Sequence, residues 1–274
     1  MARSRRTTWR SGAIVVAATL TVLLGACGTP TQADPDADPD QVDAVETPEL
    51  GACRLLTLEE ISAPSNATRT VDCGQKHTAQ TYAVGELPDE LRESAYDAPE
   101  VGEFAYRTCN TKLSAFLGAD ESLAMRTILS WAWFRPSEKA WDDGARWYRC
   151  DVVGGGEQSA TLVPLPETAE GLLQGRPDDA WMACVAEPAF AGSKKIPCDQ
   201  DHQWRAVTTI KLGEATDPYP GDRLSEVQSR DFCSKSVLAF LNYPVEYDFA
   251  YTWFHESEWN AGNRRSVCWA RTSD

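Results

Sequence analysis

The sequence predicts an α+β protein made of two tandem homologous modules, each a small antiparallel sheet with one main helix, stapled by disulfides. Three observations carry this expectation. Eight of the nine cysteines fall into two sets of four with matching surroundings. Four motifs recur in the same order in both halves, the mark of an internal repeat of roughly 90–100 residues. Within each copy, β-rich stretches flank one longer stretch with helical period.

The motifs align residue by residue. Cys73-Gly-Gln-Lys-His77 matches Cys198-Asp-Gln-Asp-His202. The run from Cys109 to Gly118 matches the run from Cys233 to Asn242, and Trp133-Phe134 matches Trp253-Phe254. Trp141-x-x-Gly144-x-Arg146-x-x-x-Cys150 then matches Trp259-x-x-Gly262-x-Arg264-x-x-x-Cys268 at identical spacing.

Each copy reads as strand, strand, helix, strand, strand. Gln203 to Leu212 is rich in Trp, Val, Thr and Ile, a β-like composition, and Thr78 to Val84 is its counterpart. A helix is expected from Pro99 to Leu117, with proline in its first turn and Gly118 past its end. Its partner runs from Asp222 to Leu241 and is stopped by Asn242 and Pro244. Thr127 to Phe134, Arg146 to Val153, Tyr247 to Phe254 and Arg264 to Arg271 alternate as strands, and each Trp-to-Gly stretch makes a turn. The copies are placed at 51–165 and 181–274, joined by a linker at 166–180.

Eight cysteines allow 105 pairings. Only three remain if each copy closes on itself in the same way. Cys109, Leu113 and Phe116 share one helical face, as do Cys233, Val237 and Phe240, so each helical cysteine points to its core and meets a following strand. The expected bridges are therefore Cys109–Cys150 with Cys53–Cys73, and Cys233–Cys268 with Cys184–Cys198. No Cys-x-x-Cys pair occurs, which argues against a zinc ribbon or a thioredoxin-like site.

The ninth cysteine belongs to the N-terminus. Arg3, Arg5, Arg6 and Arg10 precede an uncharged run from Gly12 to Ala26 that is signal-peptide sized and too short for a membrane span. The run ends Leu24-Gly25-Ala26-Cys27, the order of a bacterial lipobox, in which the cysteine thiol receives a diacylglycerol. Residues 1–26 are thus expected to be a lipoprotein signal peptide and Cys27 the lipidation site. Ser4-Arg5-Arg6 partly resembles a twin-arginine signal, but Thr8 stands where that signal has a bulky apolar residue. Residues 28–50 hold seven acids, no base and interleaved prolines. They are read, with Cys27, as an acidic disordered tether.

Charge limits the partners. The chain has 26 Lys+Arg against 41 Asp+Glu, a formal net charge of −15, which excludes a nucleic-acid-tracking surface. Contact with the membrane is expected through the lipid anchor alone.

Six residues are candidates for ligand or partner binding. His77 and His202 recur beside a cysteine and are suited to binding a ligand or sensing pH; the favoured alternative is a hydrogen bond to backbone at a strand start. A metal needs more ligands than either supplies, so no metal and no cofactor is expected. Trp141, Arg146, Trp259 and Arg264 have the chemistry to stack on a sugar or peptide. The favoured alternative is a turn in which the arginine stacks on the tryptophan and the glycine takes a special backbone angle. Catalytic patterns are missing: there is no Gly-x-Ser-x-Gly and no Ser-x-x-Lys, and His255-Glu256-Ser-Glu-Trp259 lacks the second histidine of a zinc motif. The aligned Glu138 and Glu258 read as solvated turn residues. The expectation is a non-enzyme.

The paired Cys-x-x-x-His motifs, the helix cysteines and the Trp-x-x-Gly-x-Arg-x-x-x-Cys endings resemble the actinobacterial septum-formation domain family, in two copies over about residues 51–272. The resemblance implies a cell-envelope protein of Gram-positive, high-GC bacteria associated with septation, and it supplies no catalytic residues. It also implies an acid three residues after each histidine, where this chain has Gln80 and Arg205. Together these readings give a membrane-anchored extracytoplasmic lipoprotein whose non-catalytic modules bind an envelope protein or a cell-wall fragment. The alternative is a cell-wall hydrolase or transferase with an unrecognised site.

Overall fold

The computed structural model describes residues 37–156, 158–186 and 193–272. The leader 1–26 and Cys27 lie outside the described residues. The first module contains α1 (Asp40–Asp43), β1 (Cys53–Arg54), β2 (Thr70–Val71), β3 (Ala79–Glu86), α2 (Pro99–Leu117), α3 (Glu121–Ala124), β4 (Ser130–Phe134), α4 (Glu138–Asp142) and β5 (Trp147–Val153). The second contains β6 (Ala183–Val185), β7 (Ile196–Pro197), β8 (Trp204–Lys211), α5 (Asp222–Phe240), β9 (Phe249–Thr252), α6 (Glu256–Ala261) and β10 (Arg265–Arg271). Each module forms one five-stranded antiparallel sheet, in the orders β2-β1-β3-β5-β4 and β7-β6-β8-β10-β9, so the two topologies are the same.

Local chemistry explains the helices. In α2, Pro99 occupies the first turn, and Gly118 closes the end in the left-handed region at φ 69, its N–H bonding the Ala115 carbonyl. Val101, Ala105, Cys109, Leu113 and Leu117 form its buried stripe, four residues apart. The core stripe of α5 is more polar, with Ser225, Ser229, Cys233 and Val237 buried. Its Ser229 hydroxyl reaches the Ser225 carbonyl at 2.6 Å and Ser266 Oγ at 2.8 Å, which satisfies that hydroxyl inside the core. No helix among the described residues is long and apolar enough to cross a membrane.

Four disulfides close the modules: Cys53–Cys73, Cys109–Cys150, Cys184–Cys198 and Cys233–Cys268. In each module one bridge ties the helix to the neighbouring central strand, β5 or β10, and the other ties down an edge hairpin. These pairs are the ones expected from the helical faces.

The face of each sheet turned away from its helix is covered differently in the two copies. In the first module, Arg149 and Asp151 flank Cys150 and lie on this far face, both side chains fully buried and 3.1 Å apart. Arg149 also bonds Asn66 Oδ1 at 3.1 Å and lies 4.4 Å over the Phe134 ring. Asp151 Oδ1 accepts from Thr81 Oγ1 at 2.7 Å, and that hydroxyl accepts in turn from Arg54 Nη1 at 3.0 Å. Burial, then the Arg149 charge, pushes the Arg54 guanidinium down to about 10, with Asp151 opposing. The second module has Val267 and Trp269 at the corresponding positions around Cys268. These pack with Ala183, Val185, Trp204 and Ala206 against Ile128 of the first module.

The junction is therefore a shared core, and backbone bonds reinforce it. Ile128 N donates to the Trp181 carbonyl at 3.0 Å, and Ala183 N donates to the Arg126 carbonyl at 2.8 Å. Thr127 forms a bridge with Met182. This accounts for the start of β4 at Ser130 rather than Thr127: the first residues of the expected strand are paired with the second module instead.

Two spacer assignments need correction. Residues 37–44 of the expected disordered tether are docked on the first module. Val42 is buried, the Val42 carbonyl accepts from Ser137 N at 2.9 Å, and the Ala44 carbonyl accepts from Trp147 Nε1 at 3.0 Å. Asp43 bonds Ser137 Oγ at 2.6 Å and Lys139 Nζ at 2.7 Å, and those bonds hold its carboxyl below the usual carboxylate range. Acidic composition suggests mutual repulsion, but specific partners outweigh it here. The linker 166–180 is likewise packed: Ala169 and Leu173 are buried in the first core. Ala169 N donates to Gln80 Oε1 at 2.8 Å, and Leu173 N to the Leu117 carbonyl at 2.9 Å.

Loop length ranks the bridges. Cys109–Cys150 encloses 41 residues and Cys184–Cys198 encloses 14. Their removal by paired alanine substitution is expected to cost about 4 and about 3 kcal/mol respectively, read from guanidinium unfolding midpoints. Asp151→Asn leaves Arg149 buried without its counter-charge, at an expected cost of about 3–5 kcal/mol in the same assay. Asp248→Asn, which breaks the half-exposed Arg271–Asp248 pair, is expected to cost under about 1 kcal/mol.

Candidate functional site

The Trp–Arg motifs are structural. Trp141 and Trp259 are 5% and 3% exposed. Arg146 stacks 4.2 Å over Trp141, and its guanidinium bonds the carbonyls of Trp141 at 2.7 Å, Ala145 at 2.8 Å and Arg92 at 2.6 Å. Arg264 stacks 3.8 Å over Trp259 and bonds the carbonyls of Trp259, Asn263, Glu214 and Ala215. The turns between the last two strands are the short helices α4 and α6. They are capped by Ser137 and His255, and the chain leaves them through Gly144 and Gly262 at φ 99 and 115. With both rings buried and both guanidinium groups spent on backbone, the expectation that Trp141, Arg146, Trp259 and Arg264 bind a ligand is overturned.

The two histidines share one contact and then diverge. His77 Nδ1 lies 2.8 Å from the Gln75 carbonyl, and His202 Nδ1 lies 2.8 Å from the Gln200 carbonyl. His77 is fully buried, and its own carbonyl accepts from Leu165 N at 2.9 Å, so the end of the first copy seals that corner. It has no access to a partner, and the binding expectation fails for it. His202 is half-buried and lines a cavity. Its ring also approaches the sulfurs of Cys184 and Cys198, all within 4.8 Å, but those sulfurs are bonded to each other and offer no thiolate to a metal.

That cavity, of about 590 Å³, opens where the two modules and the linker meet. Its charged lining is Arg126 from the first module, Arg176 and Asp179 from the linker, and His202 and Arg205 from the second. Leu123, Met182 and Phe240 add apolar wall, and Phe240 is 53% exposed. Arg126 is fixed by bonds from Nε to the Ser122 carbonyl and from Nη1 to the Val207 carbonyl, both 3.1 Å. Burial lowers its pKa, Asp120 opposes this, and the neighbouring Arg205 charge lowers it further. Asp179 bonds Arg205 Nη2 at 2.5 Å. That bond leads in holding its carboxyl below the usual range against the opposing effect of burial, and the charges of Arg205 and Arg176 add to it. Arg126, Arg176 and Arg205 thus share one lining with a single carboxylate, Asp179.

A second cleft of about 300 Å³ lies along the other side of the junction, among Tyr106, Trp131, Trp253, Lys195 and Arg265. Tyr106 sets its edge against Trp131 at 5.4 Å and packs over Gly262, where a Cβ would fall 2.7 Å from the Tyr106 ring. Burial, then Glu121 and Glu258, pushes the Tyr106 phenol up to about 12, and desolvation lowers the Lys195 ammonium. Elsewhere, His255 Nδ1 lies 3.3 Å from Asp222 Oδ1, both side chains 60% exposed, and the His255 ring packs 4.3 Å from Trp253 at the margin of this second cleft.

Among the residues around the larger cavity, sequence reasoning offered only His202 for binding; Phe240, expected on the core face of its helix with Cys233, is instead 53% exposed at the rim, beyond the buried stripe that ends at Val237. Arg126, Arg176 and Arg205 have no counterparts in the other copy, so a search for repeated residues passes over them. A usable signal was present, however: they are unrepeated basic residues in an acidic chain, with Arg205 standing where the resemblance implies an acid.

The fold and junction define a tandem, disulfide-stapled α+β protein whose two modules, each with its own core, are joined by a common apolar cluster. The family model described as Septum formation matches the chain twice, over residues 1–135 and 127–268, and the chain belongs to that family. Membership points to a role related to cell division. The two matches meet in and around β4, before α4 and β5 complete the first module. No curated protein and no solved structure matches the chain.

The structural role of the Trp–Arg motif has a direct test. Arg264→Ala removes a guanidinium that holds four carbonyls, at an expected cost of about 2 kcal/mol in urea unfolding. Binding of any envelope partner by the still-folded fraction is expected to be unchanged. Weaker binding at unchanged stability would restore Arg264 to the recognition surface.

Proposed function

We propose that this protein is an extracytoplasmic lipoprotein, anchored through Cys27, that acts in septum formation as a non-catalytic binding module for a cell-envelope protein or cell-wall fragment. The observation that carries the reading is the cationic cavity at the junction, concave and assembled from both modules and the linker. Its size suits a ligand or a partner's side chains rather than a single ion. Family membership supports the division-related role. The four disulfides are in keeping with an oxidising compartment, and the lipobox order before Cys27 supplies the means of retention there.

Photo-crosslinking in dividing cells from position 240, at the cavity rim, tests the binding role. Capture of the same septal envelope component in repeated experiments supports it; a crosslinking pattern identical to that from the exposed position 90, on the first module and outside the cavity lining, opposes it. The anchor is tested separately. Cys27→Ala is expected to move the protein from the membrane fraction to the soluble extracytoplasmic fraction and to abolish labelling by a fatty-acid probe. Continued labelling of the alanine variant would remove Cys27 as the anchor.

A further inference from the structure

The cavity between the modules has the charge, the preorganisation and the shape of an anion site. The whole chain carries a formal charge of −15, yet this concavity gathers Arg126, Arg176 and Arg205 around a single lining carboxylate, Asp179. Counting those four groups, the lining is left at +2. Asp120, the other acid close to Arg126, does not line the cavity; its carboxylate caps α3 through a 2.7 Å bond from Leu123 N. Folding does not require this gathering. In the first module the equivalent corner holds Gln80 in place of Arg205, and Gln80 spends its side-chain oxygen on Ala169 N at 2.8 Å.

We infer that the cavity binds an organic phosphate monoester, with the phosphate held by Arg126, Arg176 and Arg205 and the organic portion lying toward His202 and Phe240. The inference deepens the binding role proposed above and rests on it. Charge selects the phosphate: a monoester near its dianionic form neutralises the +2 lining, whereas one carboxylate neutralises half of it. Guanidinium geometry suits it as well, since planar paired N–H groups match the oxygens of phosphate. Two of the three donors are set before the ligand arrives, Arg126 by two backbone carbonyls and Arg205 by Asp179, which lowers the ordering that opposes binding.

The remaining lining indicates the organic part. A volume of about 590 Å³ greatly exceeds a phosphate group. The Gln200 carbonyl can only accept, so His202 carries its proton on Nδ1, and in the neutral ring Nε2 is left as an acceptor suited to a ligand hydroxyl. Leu123, Met182 and Phe240 offer apolar contact beside it. A sugar phosphate and a phosphorylated lipid headgroup share this chemistry.

The test uses the purified full-length lipoprotein in neutral detergent, with calorimetric titration of a hexose 6-phosphate, the corresponding hexuronate and the unmodified hexose. The phosphate is expected to bind at least tenfold more tightly than the hexuronate, with no heat from the hexose, and to weaken as salt rises. Arg176→Gln alters an exposed arginine and is expected to lose about tenfold; Arg126→Met is expected to abolish binding, with circular dichroism confirming that it folds. Arg223→Gln, at an exposed arginine outside the cavity, is expected to bind as the parent does. Mixed micelles containing phosphatidic acid or phosphatidylglycerol distinguish the sources: binding of the former alone indicates a lipid monoester, and binding of the hexose phosphate alone a soluble one. Equal affinity for phosphate and hexuronate, equal binding by Arg176→Gln and the parent, or no response to any phosphorylated probe overturns the inference. If crosslinking from position 240 still captures a septal component in that case, the ligand class fails while the binding role stands.

Discussion

A five-stranded sheet with one helix buries one face and leaves the other to be covered. The rest of this molecule follows from how each module meets that constraint. The first module covers its far face from within, using the segment from residue 37 to residue 68 and the buried Arg149–Asp151 pair. The second covers its far face with the first module. The positions on either side of the strand cysteine record the difference: Arg149 and Asp151 in one copy, Val267 and Trp269 in the other. A buried ion pair requires hydrogen-bonding surroundings, and Asn66 provides them for Arg149 and Thr81 for Asp151; an apolar pair requires only a matching apolar surface, which Ile128 begins.

The junction is consequently not a hinge between independent domains. Backbone bonds at Arg126, Ile128, Trp181 and Ala183 continue the hydrogen-bonded framework from one module into the other, and the linker is packed into the first core. A cavity at such a boundary has walls fixed by three separate stretches of chain. Its residues are drawn from positions that the duplication does not repeat, so the repeat supplies the scaffold and departures from the repeat supply the recognition chemistry.

Much of the scaffold was legible in the sequence because repetition converts weak local signals into strong ones. Pro99 and Gly118 bound α2 as expected, and Asn242 adopts the left-handed conformation at φ 62 just past α5. The disulfide pairs followed from placing Cys109 and Cys233 on the core faces of their helices. The Trp–Arg motif was legible only as a choice between turn and ligand platform, because a stacked pair has the same spacing in either role; burial of Trp141 and Trp259 decides it. Docking of residues 37–44 was hidden by composition, since Val42 is a single apolar anchor among acids and the bond from Asp43 to Lys139 spans 96 residues. The cationic cavity was hidden for a related reason: Arg126, Arg176 and Arg205 lie far apart in the chain and converge only once the modules are joined.

The unequal far faces also give the molecule a direction in time. A chain emerges N-terminus first, so the module that can cover both of its own faces is complete before the one that cannot. The first module then serves as a finished surface on which Val267 and Trp269 settle as the last strand arrives. With the order of the copies reversed, the emerging half would expose that apolar face for as long as its cover remained unmade. Two copies alike in topology are therefore not interchangeable in sequence order.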